Sequence, residues 1–480
     1  MPESTPTICI HIFRRDYRLH DNTTLIEACK THTIVIPIFI FTNKQIDPKQ
    51  NTYRSDNAVQ FLCNSLQNLD KQLHSRLYVF YGDEYVILED LIKLIPNLKT
   101  ISFNMDYTKY SQERDARIKT LCTTNNIDCL SIDDICLNPV GTILTTTGKV
   151  YTKFTPFWRA SANKTIPKPT SNTNDNYLPA NTAIAIKLKK YKYYITMDTV
   201  MKPNSLILGN INPRILEQGG RDNGLAILKR IIDWKEYDNQ HDQLTYATTH
   251  LSAYNKFGCV SIREVYWVMV AKLGKDSGVV RQLFWRDFFY NLSAKFSEIY
   301  EHSLNPKYRD IKWHTNTKEF ELWCSGQTGY PIVDACMREL NTTGYMHNRG
   351  RLIVSNFLCR LMHMDWHLGE RYFASKLMDY DPAQNNFGWQ VSGANSSGTT
   401  SRPLEQTILN PWLQSQQFDN NGEYIKKWCP ELNDVKSTDL HKWNSECSKW
   451  LEKGIKYREP MLDYKIEKEK NLKMYRKYLS

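Results

Sequence analysis

Cysteine pairs, zinc-ligand sets and glycine-rich nucleotide loops are all missing from this 480-residue sequence, and each absence argues against a class of site. The twelve cysteines include no CxxC pair and no Cys/His cluster at metal-ligand spacing, so we expect reduced thiols, an intracellular location and no bound metal. No HxE…PCxxC set is present, which argues against a zinc deaminase. No GxGxxG follows the first predicted strand, so a Rossmann-type dinucleotide site is not indicated.

Long apolar runs are also missing. The longest, from Ile34 to Phe41, is interrupted by Pro37, and no basic-then-apolar signal opens the chain, so we expect a soluble protein without a membrane span. The chain does have length and positive charge. Its length exceeds that of one compact core, which predicts two domains, and a formal net charge of +11 fits a polyanionic partner such as nucleic acid.

Residues 1–135 alternate short β-rich runs with helical stretches, which predicts an α/β domain with a parallel sheet, Rossmann-like in layout but without GxGxxG. The predicted strands are Ile8 to Phe13, Thr33 to Phe41, Arg76 to Gly82, Lys99 to Asn104 and Ile127 to Ile132. A polar cluster follows the first of them and contains Arg14, Arg15, Asp16, Arg18, Asp21 and Asn22. Ligands bind at the carboxyl ends of such sheets, but a salt-linked turn is an equally good interpretation.

Residues 136–222 are interpreted as an interdomain connection over the surface, because they include the Asn/Thr/Pro-rich segment NKTIPKPTSNTNDN. The basic aromatic run LKKYKYY, Leu188 to Tyr194, either touches nucleic acid or is a solvated face. Amphipathic helical periods dominate residues 223–480, which predicts a large all-α second domain. The Lys-rich stretch from Tyr464 to Ser480 is predicted to be a last, solvated helix.

Polar and aromatic groups are most concentrated between Gly344 and Gln390. Apolar residues at helical spacing place Asn348, Arg349 and Arg351 near the start of a helix, where backbone N–H groups favour anions. The Pro- and Asn-containing stretch from Asp379 to Trp389 is predicted to be a loop. Loops on a helical scaffold often carry function, so we expect the chemistry to be assembled here.

Aromatic residues and arginines together suggest a pocket for an extruded base. Each tryptophan taken singly is best explained by core packing. The stretch QLFWRDFFY nevertheless places Trp285 beside Arg286, and bases stack on such rings while arginines, here also Arg349, hold phosphates. A flipped-base pocket also needs a few hydrogen-bonding groups, for which Gln282 and Asn348 are candidates.

A second ligand is suggested by the hydroxyl-rich segment Thr248, Thr249, His250, Leu251 and Ser252. Such a segment ahead of a helix either cradles a diphosphate or is a plain N-cap. Asp379 and Asp381 are acceptors suited to a flavin ring N–H, and Arg351 is suited to pair with Asp379.

These motifs resemble those of the photolyase/cryptochrome family over nearly the whole chain, and most of all its cyclobutane pyrimidine dimer photolyases. In the first domain the resemblance rests on IFRRDYRLHDNTTL (Ile12 to Leu25) and NMDYTKYSQERD (Asn104 to Asp115). In the second it is more specific and rests, in family order, on TTHLSAYNKFGCVS, LFWRDFF, TGYPIVDACMREL, MHNRGR, GERYF and DYDPAQNNFGWQ.

The resemblance implies a lyase that binds FAD in its helical domain and uses light to split pyrimidine dimers in DNA. The implied FAD contacts are Tyr237, Thr248, Thr249, His250, Leu251, Ser252, Arg351, Asp379, Asp381 and Asn385. Asn385 is expected near the flavin N5 atom. Trp389, Trp366 and Trp313 match the electron-transfer chain of the family, with Trp389 nearest the flavin and Trp313 at the surface.

The implied DNA contacts are Trp285 stacked on the flipped dimer, Asn348 and Gln282 bonded to it, and Arg286 and Arg349 on phosphates. Family members that repair (6-4) photoproducts have two histidines where this chain has Asn348 and Leu352, and neither of those residues can transfer a proton. Cyclobutane repair is therefore favoured, although Gln282 replaces the Glu of cyclobutane-specific relatives.

Two further departures from the family pattern concern the dimer pocket. Val391 stands where many bacterial relatives have a Trp. Thr407 stands at the usual phosphate-binding Arg, for which Arg402 is a possible substitute. We therefore expect a pocket of somewhat different shape.

The alternatives are a cryptochrome-type blue-light receptor on the same fold and a (6-4) photolyase. An antenna chromophore, a folate or a deazaflavin, is possible against Asp106 and Tyr107. We expect a monomer whose partner is DNA containing pyrimidine dimers.

Overall fold

The molecule is described here by a computed structural model, which covers residues 6–395 and 403–479. Its first part is an α/β layer built on a six-stranded sheet, and its second part is helical, as the sequence predicts. Within the described ranges no helix is long and apolar enough to cross a membrane, and no cluster of three or more His, Cys, Asp or Glu side chains is arranged to hold a metal ion.

The sheet has the strand order β5-β4-β1-β2-β3-β6. Its strands are β1 (Ile8–Ile12), β2 (Ile34–Phe41), β3 (Tyr78–Tyr81), β4 (Leu98–Asn104), β5 (Asp128–Ile132) and β6 (Tyr194–Ile195). The first five pair in parallel, and all five predicted strands are confirmed. Every residue of β1 is buried, as expected for a strand covered by helices on both faces.

Helices cover this sheet and build the rest of the chain. The first part contains α1 (Thr23–Thr31), α2 (Asn43–Ile46), α3 (Asp56–Gln72), α4 (Glu84–Leu94) and α5 (Lys109–Thr124), and the connection contains α6 (Phe154–Ala162), α7 (Ala183–Lys189) and α8 (Met197–Val200). The second part contains α9 (Arg221–Lys229), α10 (Tyr237–Gln240), α11 (Ser252–Phe257), α12 (Ile262–Leu273), α13 (Gly278–Lys295), α14 (Thr317–Ser325), α15 (Pro331–Thr343), α16 (Asn348–Asn356), α17 (Trp366–Lys376), α18 (Pro382–Gly388), α19 (Pro411–Phe418), α20 (Glu423–Trp428), α21 (Ser437–Leu440), α22 (Trp443–Leu451) and α23 (Tyr464–Leu479).

The stretch 136–222 is more than a surface connection. Strand β6, at the end of the Lys/Tyr run, pairs antiparallel with β3, and Tyr177 bridges to Val35 on β2. Tyr191 also donates to Asp90 at 2.7 Å. The run therefore completes the edge of the sheet, and its tyrosines serve structure.

The stretch from Asp379 to Trp389, predicted as a loop, contains helix α18, so that prediction is wrong for Pro382–Gly388. Asp381 is the N-cap and Pro382 the first helical residue, a position where the missing proline N–H has no intrahelical partner to lose. A π-helix, Trp389–Gly393, follows directly, and a second one, Phe357–Leu361, extends α16. Single-turn π-helices are rare and frequently occur at functional sites.

The last helix is also less solvated than predicted. Asn471 and Tyr475 on α23 are fully buried, and the Tyr475 hydroxyl donates to the Ala394 carbonyl at 2.6 Å. The Arg360 guanidinium lies 4.1 Å from the Tyr475 ring. One face of α23 is thus part of the core, while its lysines remain outside.

The two parts share one hydrophobic core. Phe61 on α3 stacks on Phe257 with ring centroids 5.1 Å apart and meets Tyr254 edge-on at 5.0 Å. The polar cluster after β1 reinforces this contact, because Arg263 of α12 bonds Asp21 at 2.8 Å and Asp134 at 2.7 Å. The carboxyl edge of the sheet therefore faces the helical part.

Candidate functional site

The hydroxyl-rich segment from Thr248 to Ser252 forms a turn that leads into α11, and the prediction that it precedes a helix is confirmed. The Thr248 hydroxyl lies 3.1 Å from that of Tyr345. His250 has a φ of 53°, and its Nδ1 atom lies 3.1 Å from a carboxylate oxygen of Glu217. A non-glycine residue at positive φ is uncommon, so this turn is held in place by its surroundings.

Ser252 connects this turn to the stretch from Asp379 to Asn385, which is predicted to contact the flavin ring and is called the flavin segment below. Its hydroxyl donates to Asp379 at 2.7 Å, and Arg351 donates to both oxygens of the same carboxylate, at 2.9 and 3.1 Å. The Asp379 side chain is 2% exposed and Arg351 28% exposed. The structure therefore contains the expected Arg351–Asp379 pair, which joins α11, α16 and the segment before α18.

The carboxylate of Asp381, two residues further on, is already hydrogen-bonded to groups of the protein. One carboxylate oxygen accepts the main-chain N–H groups of Ala383 at 3.1 Å and Gln384 at 3.2 Å. The other accepts from Arg15 at 2.5 Å and from the Tyr290 hydroxyl. With four donors on its carboxylate, Asp381 holds helix α18, and its side chain has little capacity left for a ring N–H.

Asn385 lies in the first turn of α18 and is held by Glu370 of α17. Its amide nitrogen donates to the Glu370 main-chain oxygen at 3.0 Å and to Oε1 at 3.2 Å. Glu370 is 3% exposed, and burial raises its pKa to about 7. A carboxyl group that keeps its proton close to neutral pH therefore lies next to Asn385.

Three buried polar atoms without a hydrogen-bond partner lie on described segments that adjoin this site. The Nε2 atom of His347, the Nε atom of Arg349 and the Tyr246 hydroxyl have no hydrogen-bond partner. Burial lowers the pKa of His347 to about 4, so its ring is neutral. Buried polar groups are normally paired, so these atoms mark a place for a polar ligand. With the hydroxyls of Thr248 to Ser252 and the cation of Arg351, they fit the diphosphate and ring system of FAD.

The three tryptophans predicted to conduct electrons lie on neighbouring segments. Trp366 and Trp389 are 1% and 2% exposed, and Trp313 is half-buried. The segment of Trp313 pairs with the one before Trp366, because the His314 N–H donates to the His363 carbonyl at 2.8 Å. One indole thus lies near the surface and two lie inside.

Gly369 brings Trp389 against the helix of Trp366. A Cβ atom at Gly369, one turn after Trp366 on α17, would lie 2.1 Å from the Trp389 ring. The indole of Trp389 therefore rests on the backbone of α17. Phe373 and Trp323 meet it edge-on, with ring centroids 5.1 and 6.1 Å away.

The residues predicted to contact DNA differ in exposure. Gln282 on α13 and Asn348 at the start of α16 are exposed. Arg349 is paired with Asp242 at 2.7 Å and lies over the Phe418 ring at 4.2 Å. Arg349 therefore reaches a phosphate only in competition with Asp242.

The segment around α10 contacts both α13 and α16. Asp238 accepts the N–H of Gly278, the first residue of α13, at 3.1 Å, and Asp242 holds α16 through Arg349. Tyr237, the first residue of α10, is half-buried and stacks on His241 with centroids 5.0 Å apart. Gln282 and Asn348 thus project from helices joined through one short segment.

One face of Trp285 is covered from inside the protein. Phe154, the first residue of α6, stacks on it with ring centroids 3.6 Å apart and planes at 7°. Phe289 lies 5.6 Å away and stacks in turn on Phe387 of α18 at 5.2 Å. Trp285 therefore has at most one face for an extruded base.

Arg286, expected on a DNA phosphate, is engaged elsewhere. Its two terminal nitrogens donate to the carbonyls of Ile135 at 2.5 Å and Asn255 at 3.4 Å, and its side chain is 11% exposed. Arg286 joins separate segments of the chain, because it bonds the carbonyls of Ile135 and Asn255, and its Nη1 atom also lies 3.8 Å from Asp287.

The other departures from the family pattern lie within the π-helix Trp389–Gly393 or after it. Val391 is half-buried in that π-helix, and the carbonyl of Thr407 accepts from Asn356 at 2.8 Å. Arg402, the suggested phosphate contact, lies outside the described residues.

A cavity of about 550 Å³ lies between the sheet and the helical part. Its polar lining includes Arg15, Arg54, Asp106, Lys256 and Glu370, and the stacked rings of Tyr53 and Tyr380 form part of its wall. Burial, followed by the charge of Arg15, lowers the pKa of Lys256 to about 7. The volume falls in the range of small-molecule sites, roughly 300–1,000 Å³.

The site contains four residues that the sequence did not single out for these roles. Tyr290 and Arg15 bind Asp381, Glu370 binds Asn385, and Phe154 covers Trp285. Arg15 had a signal, since it belongs to the polar cluster after β1. The other three act through contacts between distant segments, which periodicity does not report.

Two family models match the chain. The model described as DNA photolyase matches residues 9–173, and that described as the FAD binding domain of DNA photolyase matches residues 279–477. Together they span both parts of the fold, and the second includes most of the site.

Similar proteins extend over the whole chain. The deoxyribodipyrimidine photo-lyase of Escherichia coli (strain K12) is 30% identical over 485 residues, which cover 96% of this chain and 97% of that protein. The solved structure of an archaeal photolyase from Sulfolobus tokodaii with two FAD molecules superimposes with a TM-score of 0.84, at 32% identity, over 98% of this chain and 100% of that one. A cryptochrome from Synechocystis sp. PCC6803 gives 0.85 at 26% identity, over 99% and 100%.

Proposed function

Because the chain belongs to the DNA photolyase family, we propose that it is a light-dependent lyase that splits cyclobutane pyrimidine dimers in DNA. When bound, FAD supplies the electron that opens the dimer after absorbing light. The protein supplies binding, orientation and a route for electrons. It acts as a monomer on damaged DNA.

The observation that carries this proposal is the convergence of the two predicted residue sets on α17 and α18. Asn385, held by Glu370 of α17, lies on the same short helix that leads into Trp389. Trp389 in turn rests on Gly369, one turn from Trp366. The residues suited to hold a flavin ring and the buried indoles suited to conduct electrons are therefore contiguous, which core packing alone does not require.

Each contact set has a distinct task. Ser252 and Arg351 fix Asp379, which is available to the flavin ring, while the turn at His250 presents hydroxyls to the diphosphate. Trp389, Trp366 and Trp313 pass electrons inward from the surface. Trp366 and Trp389 are buried large rings, so the inner part of this route is shielded from water.

Cyclobutane dimers are favoured as the substrate by the exposed start of α16. Asn348 stands free to bond a base, and Leu352 one turn later is half-buried and apolar. Neither donates a proton, which (6-4) repair needs and cyclobutane cleavage does not. Trp285, with one face covered by Phe154, offers its remaining surface to the extruded dimer.

We further propose that the cavity between the two parts holds the antenna chromophore. It contains Asp106 of the expected antenna segment, whereas Tyr107 bonds Asp133 instead. Its aromatic wall suits a planar ring, and its cationic lining of Arg15, Arg54 and Lys256 suits an anionic group. The Sulfolobus tokodaii structure, described as implying a novel light-harvesting cofactor, adds a flavin to the folate or deazaflavin expected from the sequence.

The test is a repair assay on two oligonucleotides, one with a single cyclobutane dimer and one with a single (6-4) photoproduct. Protein with reduced FAD is illuminated with blue light, and restored bases are counted by chromatography. We expect restoration of the cyclobutane substrate alone and none in the dark. Binding of FAD without restoration of either lesion contradicts the repair proposal.

A cryptochrome-type light receptor is the second candidate, and one observation favours it. Two groups expected at DNA are engaged inside the protein: Arg286 by main-chain carbonyls and one face of Trp285 by Phe154. A receptor would photoreduce its flavin through the tryptophans yet show no preference for damaged over undamaged duplex. Competition binding between the two duplexes distinguishes the candidates.

A further inference from the structure

Arg15 is the one member of the polar cluster after β1 that reaches the flavin segment among the described residues. Its neighbours are used near the sheet: Arg14 bonds Glu84 at 2.7 Å and Asp115 at 2.6 Å, and Arg18 bonds Asp134. Of the two interpretations that the sequence left open, a salt-linked turn therefore describes Arg14 and Arg18. Arg15 points the other way.

The backbone at Arg15 is fixed by the helical part. Arg15 has a φ of 54°, in the left-handed region that non-glycine residues rarely adopt. A Cβ atom at Gly258, itself at a φ of 60°, would lie 2.1 Å from the Arg15 carbonyl oxygen. The loop after β1 thus presses directly on the backbone that follows α11, and this contact sets the direction of the side chain.

The guanidinium then contacts both parts of the chain at once. Nε donates to the Lys256 carbonyl at 3.1 Å, Nη1 to Asp106 at 3.3 Å, and Nη2 to Asp381 at 2.5 Å. The Tyr290 hydroxyl bonds both Arg15 and Asp381. The side chains of Arg15 and Asp381 are 15% and 4% exposed, so this pair is only weakly screened by solvent.

Asp381 transmits this contact to α18. Its second oxygen caps the helix through the N–H groups of Ala383 and Gln384, and Asn385 occupies the next position. The cavity, which Arg15 and Asp106 line, and the segment suited to hold the flavin are therefore connected through one ion pair and one helix cap.

We propose that Arg15 is a positioning residue for the flavin, which acts through Asp381 on α18 and couples the interdomain cavity to the FAD site. This inference rests on the proposed FAD binding. Since coupling between two sites is reciprocal, an anionic chromophore that draws Arg15 toward the cavity alters FAD affinity, and FAD alters chromophore affinity by the same factor.

The test uses the full chain, stripped of FAD and titrated with it by flavin fluorescence. Arg15→Gln keeps polarity but loses the charge and the fork, and we expect FAD binding to weaken about tenfold. Arg15→Lys keeps the charge and is expected to recover part of the loss. The fine structure of the bound flavin absorption band should broaden in Arg15→Gln, a change that general destabilisation without movement of α18 does not produce.

Arg221→Gln is the matched control. Arg221 is 11% exposed and makes two 2.9 Å bonds to Glu264 and one 3.3 Å bond to the Cys259 carbonyl, so its surroundings resemble those of Arg15 without contact to the flavin segment. We expect Arg221→Gln to lower the melting temperature and leave FAD affinity unchanged. Equal weakening of FAD binding in both variants overturns the proposal.

A double-mutant cycle with Asp381→Asn separates the route through Asp381 from any other. With Asp381 neutral, Arg15→Gln should change FAD affinity by less than about threefold, because the pair it disrupts is already lost. A full tenfold effect in that background contradicts the proposed route. If the unaltered chain binds no FAD, the cofactor proposal itself fails and this inference fails with it; normal binding that Arg15→Gln leaves intact overturns the inference alone.

Discussion

Two aspartates at the flavin segment show how neighbouring residues of one type divide their work. Asp379 faces Ser252 and Arg351, and Asp381 caps α18 and binds Arg15. Both are nearly buried, so each depends on its donors for compensation. Loss of Asp379 would remove a group that the proposed function assigns to the flavin ring, whereas loss of Asp381 would remove the N-cap of α18.

The tryptophan route gives the first prediction at this scale. Trp389→Phe removes the easily oxidised indole beside α17, so flavin photoreduction by light and an external reductant should slow by at least about tenfold, while repair by chemically pre-reduced protein stays close to normal. Photoreduction is followed by flavin absorbance. Trp412→Phe, which alters an indole stacked on Tyr330, is the control. Unchanged photoreduction in Trp389→Phe means that electrons take another route.

The second prediction concerns a residue expected to contact the dimer. Gln282 is exposed on α13, and its amide side chain is uncharged. A Glu at this position would add a carboxyl group able to make a stronger hydrogen bond to the dimer. Gln282→Glu should therefore tighten binding of dimer-containing DNA by roughly three- to tenfold, measured by titration against undamaged DNA. The same affinity in both proteins places Gln282 away from the dimer.

At the scale of elements, α17, α18 and the π-helix after it form one unit. Gly369→Ala would place a methyl group against the Trp389 ring and force α17 away from the π-helix that carries Trp389. We expect this to lower the free energy of unfolding by about 1–3 kcal/mol. Gly388→Ala is the matched control, because its Cβ meets nothing within 4 Å and its φ of −54° is helical. We expect calorimetry to show a lower melting temperature for Gly369→Ala and an equal or higher one for Gly388→Ala. Equal melting in both variants contradicts the contact.

The same elements show how far the sequence could be interpreted. The five predicted strands and the start of α16 follow from local pattern, because apolar runs and helical spacing record burial directly. The sequence Asp381-Pro382 was wrongly interpreted as part of a loop. A Pro at the first helical position and a Pro inside a loop look alike in the sequence, because the cap geometry is not visible there. Tyr475 is buried by contacts with distant segments, which the Lys-rich pattern around it hides.

The candidate site was predictable in part for a similar reason. The hydroxyl-rich turn and the Arg351–Asp379 pair follow from side-chain chemistry and family pattern. Phe154 over Trp285 and Glu370 beside Asn385 depend on how separate segments pack, which no single-sequence motif records.

At the scale of the whole molecule, the two parts meet around a cavity whose charge depends on pH. Burial lowers the pKa of Lys256 to about 7, against about 10.4 in an unfolded chain. Between these values the unfolded state binds more protons, so the contribution of Lys256 to stability rises with pH from about 7 to about 10. It is unfavourable below that window.

Lys256→Met removes this pH-dependent contribution to stability. We expect the variant to gain stability at pH 7 and to show a flatter dependence of the unfolding free energy on pH between 7 and 10, measured by denaturant titration. Lys93→Met, at a surface lysine of α4 that pairs with Glu89, is the control and should leave the slope unchanged. A parallel pH dependence for the natural protein and Lys256→Met contradicts a lowered pKa of the buried Lys256.

The net charge of +11 suits a DNA partner, and phosphate contacts make such binding depend strongly on salt. Under the proposed function, specificity for damage comes from Gln282 and Trp285 on α13 and from Asn348 on α16. The central claim is that light absorbed by the bound flavin opens a dimer held by these residues.

The most direct test follows the ultraviolet absorbance that thymines regain when the cyclobutane ring of a dimer-containing oligonucleotide opens, with pre-reduced, FAD-loaded protein in one sample kept dark and one illuminated with blue light. We expect recovery of absorbance in the illuminated sample only, at a rate that rises with light intensity. Bound FAD and bound oligonucleotide without recovery under light would contradict it.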